Sequence, residues 1–425
     1  MIAAAPIIAF FDLWMVDALV AALTAVAVGM VARALPPEEA GHVSRLLRPL
    51  AIGLALPAIW MLAQIVPMPP ASKLSHPIWA SAQAALAMPL KGSISVDPGL
   101  SLLALARYLS LAVVLFVATA ATIDRRRAEW TLHGLTCVTA VMAVLLILQS
   151  LTNLPLAESS ASRARIFLQG GASLGVIVAA AGMIRAFERH ETSRVKAEAS
   201  LARFAQDFLA NLVALAICGL GLVLGAGRQE LFVVICGLGI MALVVVARRL
   251  ALGLWASMAL SSLAIVIVLV LAVRNEGRGD LTLRFANAPA SLVSDADRLI
   301  SDTGWAGSGA GSFGALLPIY RDIDDPAGEL APTSAAQVSI EMGAPALWVI
   351  VIMMLALAGF LLRGAVRRGR DSFYPAAAMS ASVVLTLEAF CDAGALSTAT
   401  GLIAATTLGL GLAQSVSRNA RQQAS

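Results

Sequence analysis

Residues 207–247 read DFLANLVALAICGLGLVLGAGRQELFVVICGLGIMALVVVA. Two apolar runs, near 207–226 and 230–247, are separated by a turn that carries Arg228 and Glu230. Each run approaches the roughly 20 residues that an α-helix needs to cross the hydrocarbon core of a bilayer. Lipid offers no hydrogen-bond partners, so a spanning segment must satisfy its own backbone, which a helix does. The stretch therefore predicts two antiparallel membrane helices joined by a tight turn.

Runs of the same kind recur near 10–33, 49–67, 101–122, 131–151, 167–187, 250–273, 344–362, 374–391 and 395–415. They predict an all-α polytopic membrane protein with eleven or twelve transmembrane helices. Its parts are N-terminal helices over 1–273 with an outer segment near 68–100, a large loop over 274–343, and C-terminal helices with a short tail over 344–425. Composition agrees with this. The chain has 425 residues, 59% of them hydrophobic and only 13% charged, with a mean hydropathy of +0.84. A soluble domain carries about 25% charged residues, so there is too little polar side chain to coat a globule of this size, and a water-soluble enzyme is excluded.

Lysine and arginine placement sets the expected orientation, because cytoplasmic loops retain positive charge. One set of alternate loops carries 19 of these residues, including Arg45, Arg48, Arg125, Arg126, Arg127, Arg185 and Arg189; the other carries 10, most of them in the two long segments. Arg107 lies inside a span. The alternation places the C-terminus in the cytoplasm and the segments near 68–100 and 274–343 outside. With eleven spans the N-terminus is outside too, which a missing or shortened first helix would explain. No basic tract interleaved with aromatics is present, so nucleic acid is not an expected partner. Cys137, Cys218, Cys236 and Cys391 fall within apolar runs without CxxC spacing and read as small buried hydrophobes.

The outer face offers arginines near the membrane plane: Arg228 in its turn, Arg298 in the large loop, and Arg107 one or two turns into a span. An arginine at the bilayer centre costs about 2.5–3.5 kcal/mol on insertion scales and marks a candidate functional position. Guanidinium matches phosphate oxygens bidentately, so such a cluster suits a lipid-linked phosphate or pyrophosphate. Each arginine also has a plain structural reading: Arg228 as a turn residue, Arg107 snorkelling, Arg298 paired with Asp295 or Asp302. The run Trp305-Ala306-Gly307-Ser308-Gly309-Ala310-Gly311-Ser312-Phe313 lacks the strand of a dinucleotide fingerprint and predicts a compact turn at the membrane face. Asp322, Asp324 and Asp325 resemble a metal-holding acidic pair, though solvated acids are the commoner case; no metal or other cofactor is expected. Glu341 is expected to begin the next span at the water boundary, as a base, a salt-bridge partner or an interfacial acid.

The run Ala331-Pro332-Thr333-Ser334-Ala335-Ala336-Gln337-Val338-Ser339-Ile340-Glu341-Met342-Gly343-Ala344-Pro345 resembles a segment of the O-antigen ligase and O-antigen polymerase superfamily, A-H-N-x-x-x-Q-x-x-x-E-x-G-x-P, at the end of that family's large outer loop. Arg298, Trp305 and the glycines 307, 309 and 311 with Phe313 resemble its R, W and P-x-x-G-x-G-x-G-x-F. Gly225-Ala226-Gly227-Arg228 resembles its S-x-S-R turn. Trp60, Pro67, Pro69, His76, Pro77, Trp79 and Ser93-Ile94-Ser95-Val96-Asp97-Pro98 resemble its first outer segment. The departures are chemical: the family histidine falls on Pro332, the neighbouring asparagine on Thr333, the proline before the glycines on Gly304, and F-x-N-x-N on Phe167-Leu168-Gln169-Gly170-Gly171.

The resemblance implies a multi-pass protein of the bacterial inner membrane. It would transfer a glycan from a polyprenyl-pyrophosphate donor to a sugar hydroxyl of a polysaccharide or lipid A-core acceptor, without a metal. Arg228, Arg298 and Arg107 would hold the pyrophosphate. A histidine is the commonest general base; with proline at 332, Glu341 or one of Asp322, Asp324 and Asp325 would have to serve. The alternatives are a non-catalytic member that binds lipid-linked glycan or scaffolds polysaccharide export machinery, and a transporter. The latter is disfavoured because the span interiors read as nearly uncharged apart from Asp12, Asp17, Arg107 and Glu388 near their ends, with no internal repeat.

Overall fold

The computed structural model describes residues 2–10, 14–34, 36–69, 72, 74–152, 158–192, 197–249, 280–321, 330–367 and 371–415. Among these the chain is helical, and its one β-bridge joins Met68 to Gly92. The helices are α1 (Ala5–Ile8), α2 (Trp14–Ala34), α3 (Pro37–Ile65), α4 (Pro77–Leu86), α5 (Pro98–Ala121), α6 (Arg125–Leu151), α7 (Glu158–Thr192), α8 (Ala197–Gly225) and α9 (Arg228–Arg249). After residues 250–279 come α10 (Ala290–Asp302), α11 (Phe313–Tyr320), α12 (Ser334–Met342), α13 (Ala344–Arg367), α14 (Phe373–Glu388) and α15 (Thr398–Ser415). Eight described helices, α2, α3, α5 to α9 and α13, are long and apolar enough to cross a membrane. The protein is an all-α polytopic membrane protein. The expected span near 250–273 lies outside the described residues, as do Asp12, Asp322, Asp324 and Asp325.

Several boundaries move. The first span begins at Trp14, after two short helical turns over residues 2–8. The charged stretch near 188–206 is largely helical, being the end of α7 and the start of α8. Asp97 and Asp124 explain two sharp starts. Asp97 Oδ1 accepts from the Gly99 and Leu100 N–H groups at 2.8 and 3.1 Å, and Asp124 Oδ1 from Arg126 and Arg127 at 2.8 and 3.2 Å. Such caps satisfy donors that the first helical turn leaves open.

Within the spans the core is built on close approach, because lipid gives apolar side chains no reason to prefer one another and tight packing must hold the bundle. Helix α7 is its axis: 83% of its apolar window is buried inside the protein, and α14 and α15 are buried along almost their whole length. At Gly411 on α15 a Cβ would come within 2.1 Å of the Ala378 Cβ on α14, so only glycine lets these helices approach. Cys218 and Cys391 are buried as expected. Cys137 is exposed on the outward face of α6, because none of the described residues covers it.

The two ends of the bundle differ. At one end Gln414 Nε2 donates to the Thr122 carbonyl (2.6 Å), Arg125 pairs with Asp371 (3.0 Å), and Arg248 pairs with Glu188 (2.8 Å). Arg185 belongs to this network but is not a loop residue. It sits inside α7, 2% exposed, with Nη2 2.8 Å from His133 Nε2 and 3.5 Å from Asp207. The span interiors are therefore less free of charge than the sequence suggests: Arg185, Glu230 and Glu388 are all buried in helices. The opposite end carries residues 280–321 and 330–343 and is called the loop end below.

Candidate functional site

At the loop end, three stretches far apart in sequence fold into one hydrogen-bonded unit. Gly307, Gly309 and Gly311 have φ of 78°, 104° and 79°, a region that side chains disfavour, and they coil residues 305–312 into a compact turn. This is the turn the glycine run predicts. Its backbone pairs with the end of α12, through Ser308 N–H to the Ile340 carbonyl and Gly309 N–H to the Glu341 carbonyl, both 2.9 Å. It pairs with the first outer segment through Val96 N–H to the Ser308 carbonyl (2.8 Å). Gln64, fully buried near the end of α3, joins all three. Its Nε2 donates to the Ala306 and Glu341 carbonyls, each at 2.9 Å, and its Oε1 accepts from Ala310 N–H at 3.2 Å. Trp60, one turn earlier, donates to the Met342 carbonyl (2.8 Å) and packs its ring 6.1 Å from that of Trp305.

Glu341 does not begin the next span. It closes α12, before Gly343 turns the chain into α13, because Gly343 at φ 87° breaks the helix and lets it restart at Ala344. The Glu341 carboxylate is buried and faces the glycine turn. Its Oε1 accepts from Phe313 N–H (3.3 Å) and Gln337 Nε2 (3.0 Å), and Gly311 N–H supplies a further hydrogen bond. Burial pushes its pKa up; those donors and the charge of Arg107 pull the other way. In this structure the carboxylate fastens the turn to α12.

The arginines go to different places. Arg107 donates to Asp17 of α2, whose other oxygen accepts from Thr398 Oγ1 at 3.0 Å. Arg298 lies on α10 with 54% of its side chain exposed, paired with Asp295 at 2.5 Å, one of the two acids its local sequence offers. Arg228 is exposed at the start of α9. The turn preceding it gathers Arg165, whose Nε donates to the Gly225 carbonyl at 2.9 Å, and Gln169, whose Nε2 donates to the same oxygen. Arg165 is thus held against the turn that leads into Arg228. Its residue type gave no signal, because two helices separate these positions in the sequence. His76 is structural: its Nδ1 accepts from Ile78 N–H (3.3 Å) and caps α4.

A second feature was not visible in the sequence. Glu230, Glu388 and Asp392 are 2%, 1% and 4% exposed and come together beneath the first turn of α12. That turn is tied to the chain after α14 by Ser334 N–H to the Asp392 carbonyl and Ala335 N–H to the Ala389 carbonyl, both 2.7 Å. Burial, then the neighbouring Glu388 and Glu230, push Asp392 well above the usual aspartate range. The available signal was an acid at the end of an apolar run, which singled out Glu388 but not its partners. Among the described residues no group of three or more histidine, cysteine or acidic side chains is arranged to hold a metal ion.

No protein-family model, curated protein or solved structure matches the chain. The resemblance set out above therefore stands on its residues alone.

Proposed function

We propose that the protein transfers a glycan from a polyprenyl-pyrophosphate donor to a sugar hydroxyl, as O-antigen ligases and polymerases do, with the loop end on the outer side of the bacterial inner membrane. One observation carries this reading. The segments that resemble that superfamily, Trp60 to Pro98, Trp305 to Phe313 and Ala331 to Pro345, assemble around Gln64 into one unit. The Phe167–Gly171 stretch likewise meets the Gly225–Arg228 turn through Gln169. Orientation rests on the opposite end of the bundle, where the arginine-rich loops of the sequence gather. The leaving pyrophosphate needs positive charge rather than a proton. Arg228 is exposed to meet it, with Arg165 held against the turn that precedes it; Arg298, half exposed beside Asp295, and Arg107, paired with Asp17, are the further candidates. The partners are the lipid-linked glycan, a polysaccharide or lipid A-core acceptor, and export machinery acting on the product.

The test is the surface glycan of a deletion strain complemented with wild type, Arg228→Ala or Arg165→Ala at matched membrane levels. Loss of polymerised or ligated glycan in Arg228→Ala is expected; wild-type glycan in both variants overturns the assignment. Short glycan still joined to its lipid core identifies a polymerase, and carrier-linked glycan that never reaches lipid A identifies a ligase.

Pro332, together with the engagement of Glu341 in the glycine turn, favours a second reading: a member that binds lipid-linked glycan without turning it over. Purified protein that binds donor lipid but transfers to no acceptor supports it, and any measured turnover removes it.

A further inference from the structure

Helix α4 is apolar, yet none of its residues is buried in the protein. From Pro77 to Leu90 the sequence carries no charge, and its polar side chains, Ser81 and Gln83, are two residues apart. That spacing puts them on nearly opposite sides of a helix, so α4 has no hydrophilic side. A helix that is apolar all round is stable where something apolar surrounds it. Within the protein nothing does: Ile78, Leu86 and Met88 are 38%, 60% and 58% exposed. Its 10 residues reach about 15 Å, half of the roughly 30 Å hydrocarbon core, so α4 does not cross a membrane either.

The position of α4 is fixed from both sides. His76 N–H donates to the Ser93 carbonyl at 2.9 Å, and Met68 and Gly92 exchange backbone hydrogen bonds at 2.8 Å. Trp79 Nε1 donates to the Ser95 carbonyl at 3.0 Å. At Gly92 a Cβ would lie 2.2 Å from the Ser75 hydroxyl and 3.3 Å from Trp79, so the segment is closed tightly on itself. Ser95 N–H in turn donates to the Gln64 carbonyl at 3.0 Å, which ties α4 to the Gln64 hub. The chain leaves the span α3 at Ile65 and enters the span α5 at Pro98, so α4 lies between two points on the same membrane boundary. Exposed Leu62 and Val66 carry the apolar surface of α3 to the start of this segment. Tryptophan, apolar with one N–H donor, favours that boundary; Trp60 near the end of α3, Trp79 and Trp348 near the start of α13 all stand at it. Lys73 and Lys91 bracket the uncharged run in the sequence, as suits a helix lying under phosphate headgroups.

We propose that α4 lies in the plane of the membrane at the loop end, packed against phospholipid at the boundary of headgroups and acyl chains, and anchors the Gln64 unit at that depth. Continuity with the spans α3 and α5 and the absence of any charge or hydrophilic side select lipid over a soluble partner. The glycine turn and α12, hydrogen-bonded to the same hub, are thereby held at headgroup level, where a phosphate carried by a lipid also lies. The anchor goes beyond the transfer reaction proposed above and does not depend on it.

Footprinting of the wild-type, full-length protein in vesicles of equal parts phosphatidylcholine and phosphatidylglycerol tests the anchor without any substrate. Trypsin cuts after Lys73 and Lys91, so α4 leaves as the peptide 74–91. A carbene reagent dissolved in the lipid is expected to label this peptide as heavily as the peptide 1–33, which contains the span α2. Hydroxyl radicals generated in the water are expected to oxidise Met88 as little as Met30, which is 62% exposed in the protein but belongs to a span. The peptide 285–298 of α10, whose exposed residues include Ser291, Ser294 and Asp297, is expected to show the reverse pattern. Oxidation of Met88 well above that of Met30 places α4 in water and overturns the proposal. Protection of 74–91 from both reagents places another protein surface against α4 and overturns it as well. Ala85→Asp puts a charge where charge is costly in lipid; it is expected to lower the carbene label on 74–91 and raise oxidation of Met88, whereas Ala85→Leu keeps the wild-type footprint. An unchanged footprint in Ala85→Asp overturns the proposal, and the wild-type footprint alone decides if that variant fails to insert. A lipid footprint on 74–91 with no glycan transfer to any acceptor sinks the transfer reaction and leaves the anchor standing; transfer with Met88 in water does the reverse.

Discussion

Arg107 and Asp17 form a two-point ion pair: Nε and Nη2 of the arginine meet one carboxylate oxygen at 3.0 and 2.7 Å. The pair joins α5 to α2, and Thr398 at the start of α15 holds the other oxygen of Asp17. A cation inside an apolar run is thereby given a structural counter-charge, and its field reaches Glu341 as well.

Breaking that pair is expected to cost stability more than donor binding. Asp17→Asn removes the carboxylate charge that meets Arg107, and a loss of about 1–3 kcal/mol is expected, as for a hydrogen bond between charged groups. Thermal unfolding in detergent of Asp17→Asn, Arg107→Gln and the double variant measures it. Additive losses would show that the two side chains do not act as a unit.

Glu341→Gln should preserve the glycine turn, since the Gln oxygen still accepts from Phe313 and Gln337, whereas Glu341→Ala should lose about 1–3 kcal/mol. The two differ from wild type in pH dependence. Because burial raises the folded-state pKa of Glu341 above 4.5, the folded protein holds a proton that the unfolded chain releases. That group's contribution to stability is full below 4.5 and falls as pH rises through the folded value. A melting temperature whose pH slope is the same in wild type and Glu341→Gln would refute this.

His76 behaves with the opposite sign. Burial lowers its pKa from 6.5, and its Nδ1 must be unprotonated to accept from Ile78 N–H. Its contribution is present above 6.5 and is lost as pH falls through the lowered folded value. Hydrogen exchange at the Ile78 amide should accelerate at mildly acidic pH in wild type but not in His76→Asn, which caps without titrating. His76→Ala should cost about 1 kcal/mol above pH 6.5 and progressively less as the imidazole protonates.

Gly343→Ala should be among the most damaging single substitutions at the loop end. With φ at 87°, a side chain there costs about 1–3 kcal/mol in backbone strain alone. Its Cβ would also lie 2.0 Å from the Trp305 carbonyl oxygen, forcing α12 and the glycine turn apart. Gly239→Ala, where a Cβ meets nothing within 4 Å, is the control. Equal expression and melting temperature for the two variants would count against the assembly described here.

The all-α membrane-spanning character of the chain and the compact glycine turn were legible in the sequence, because hydrocarbon length and φ preference act on short stretches of chain. The ion pair of Arg298 with Asp295 was legible too, being three residues apart on one helix. Gln64 as the hub, Arg165 against the turn before Arg228, Asp17 as a partner of Arg107, and the meeting of Glu230, Glu388 and Asp392 were not. Each depends on which face of one helix packs against which face of another. In a chain whose lipid-facing and protein-facing surfaces are equally apolar, hydrophobic periodicity does not record that choice. The sequence by itself determined that the chain lies in a membrane as helices. Only tertiary packing decided which buried polar groups find partners and which carboxylates are left facing each other, since hydrogen bonds and charges balance between helices rather than along them.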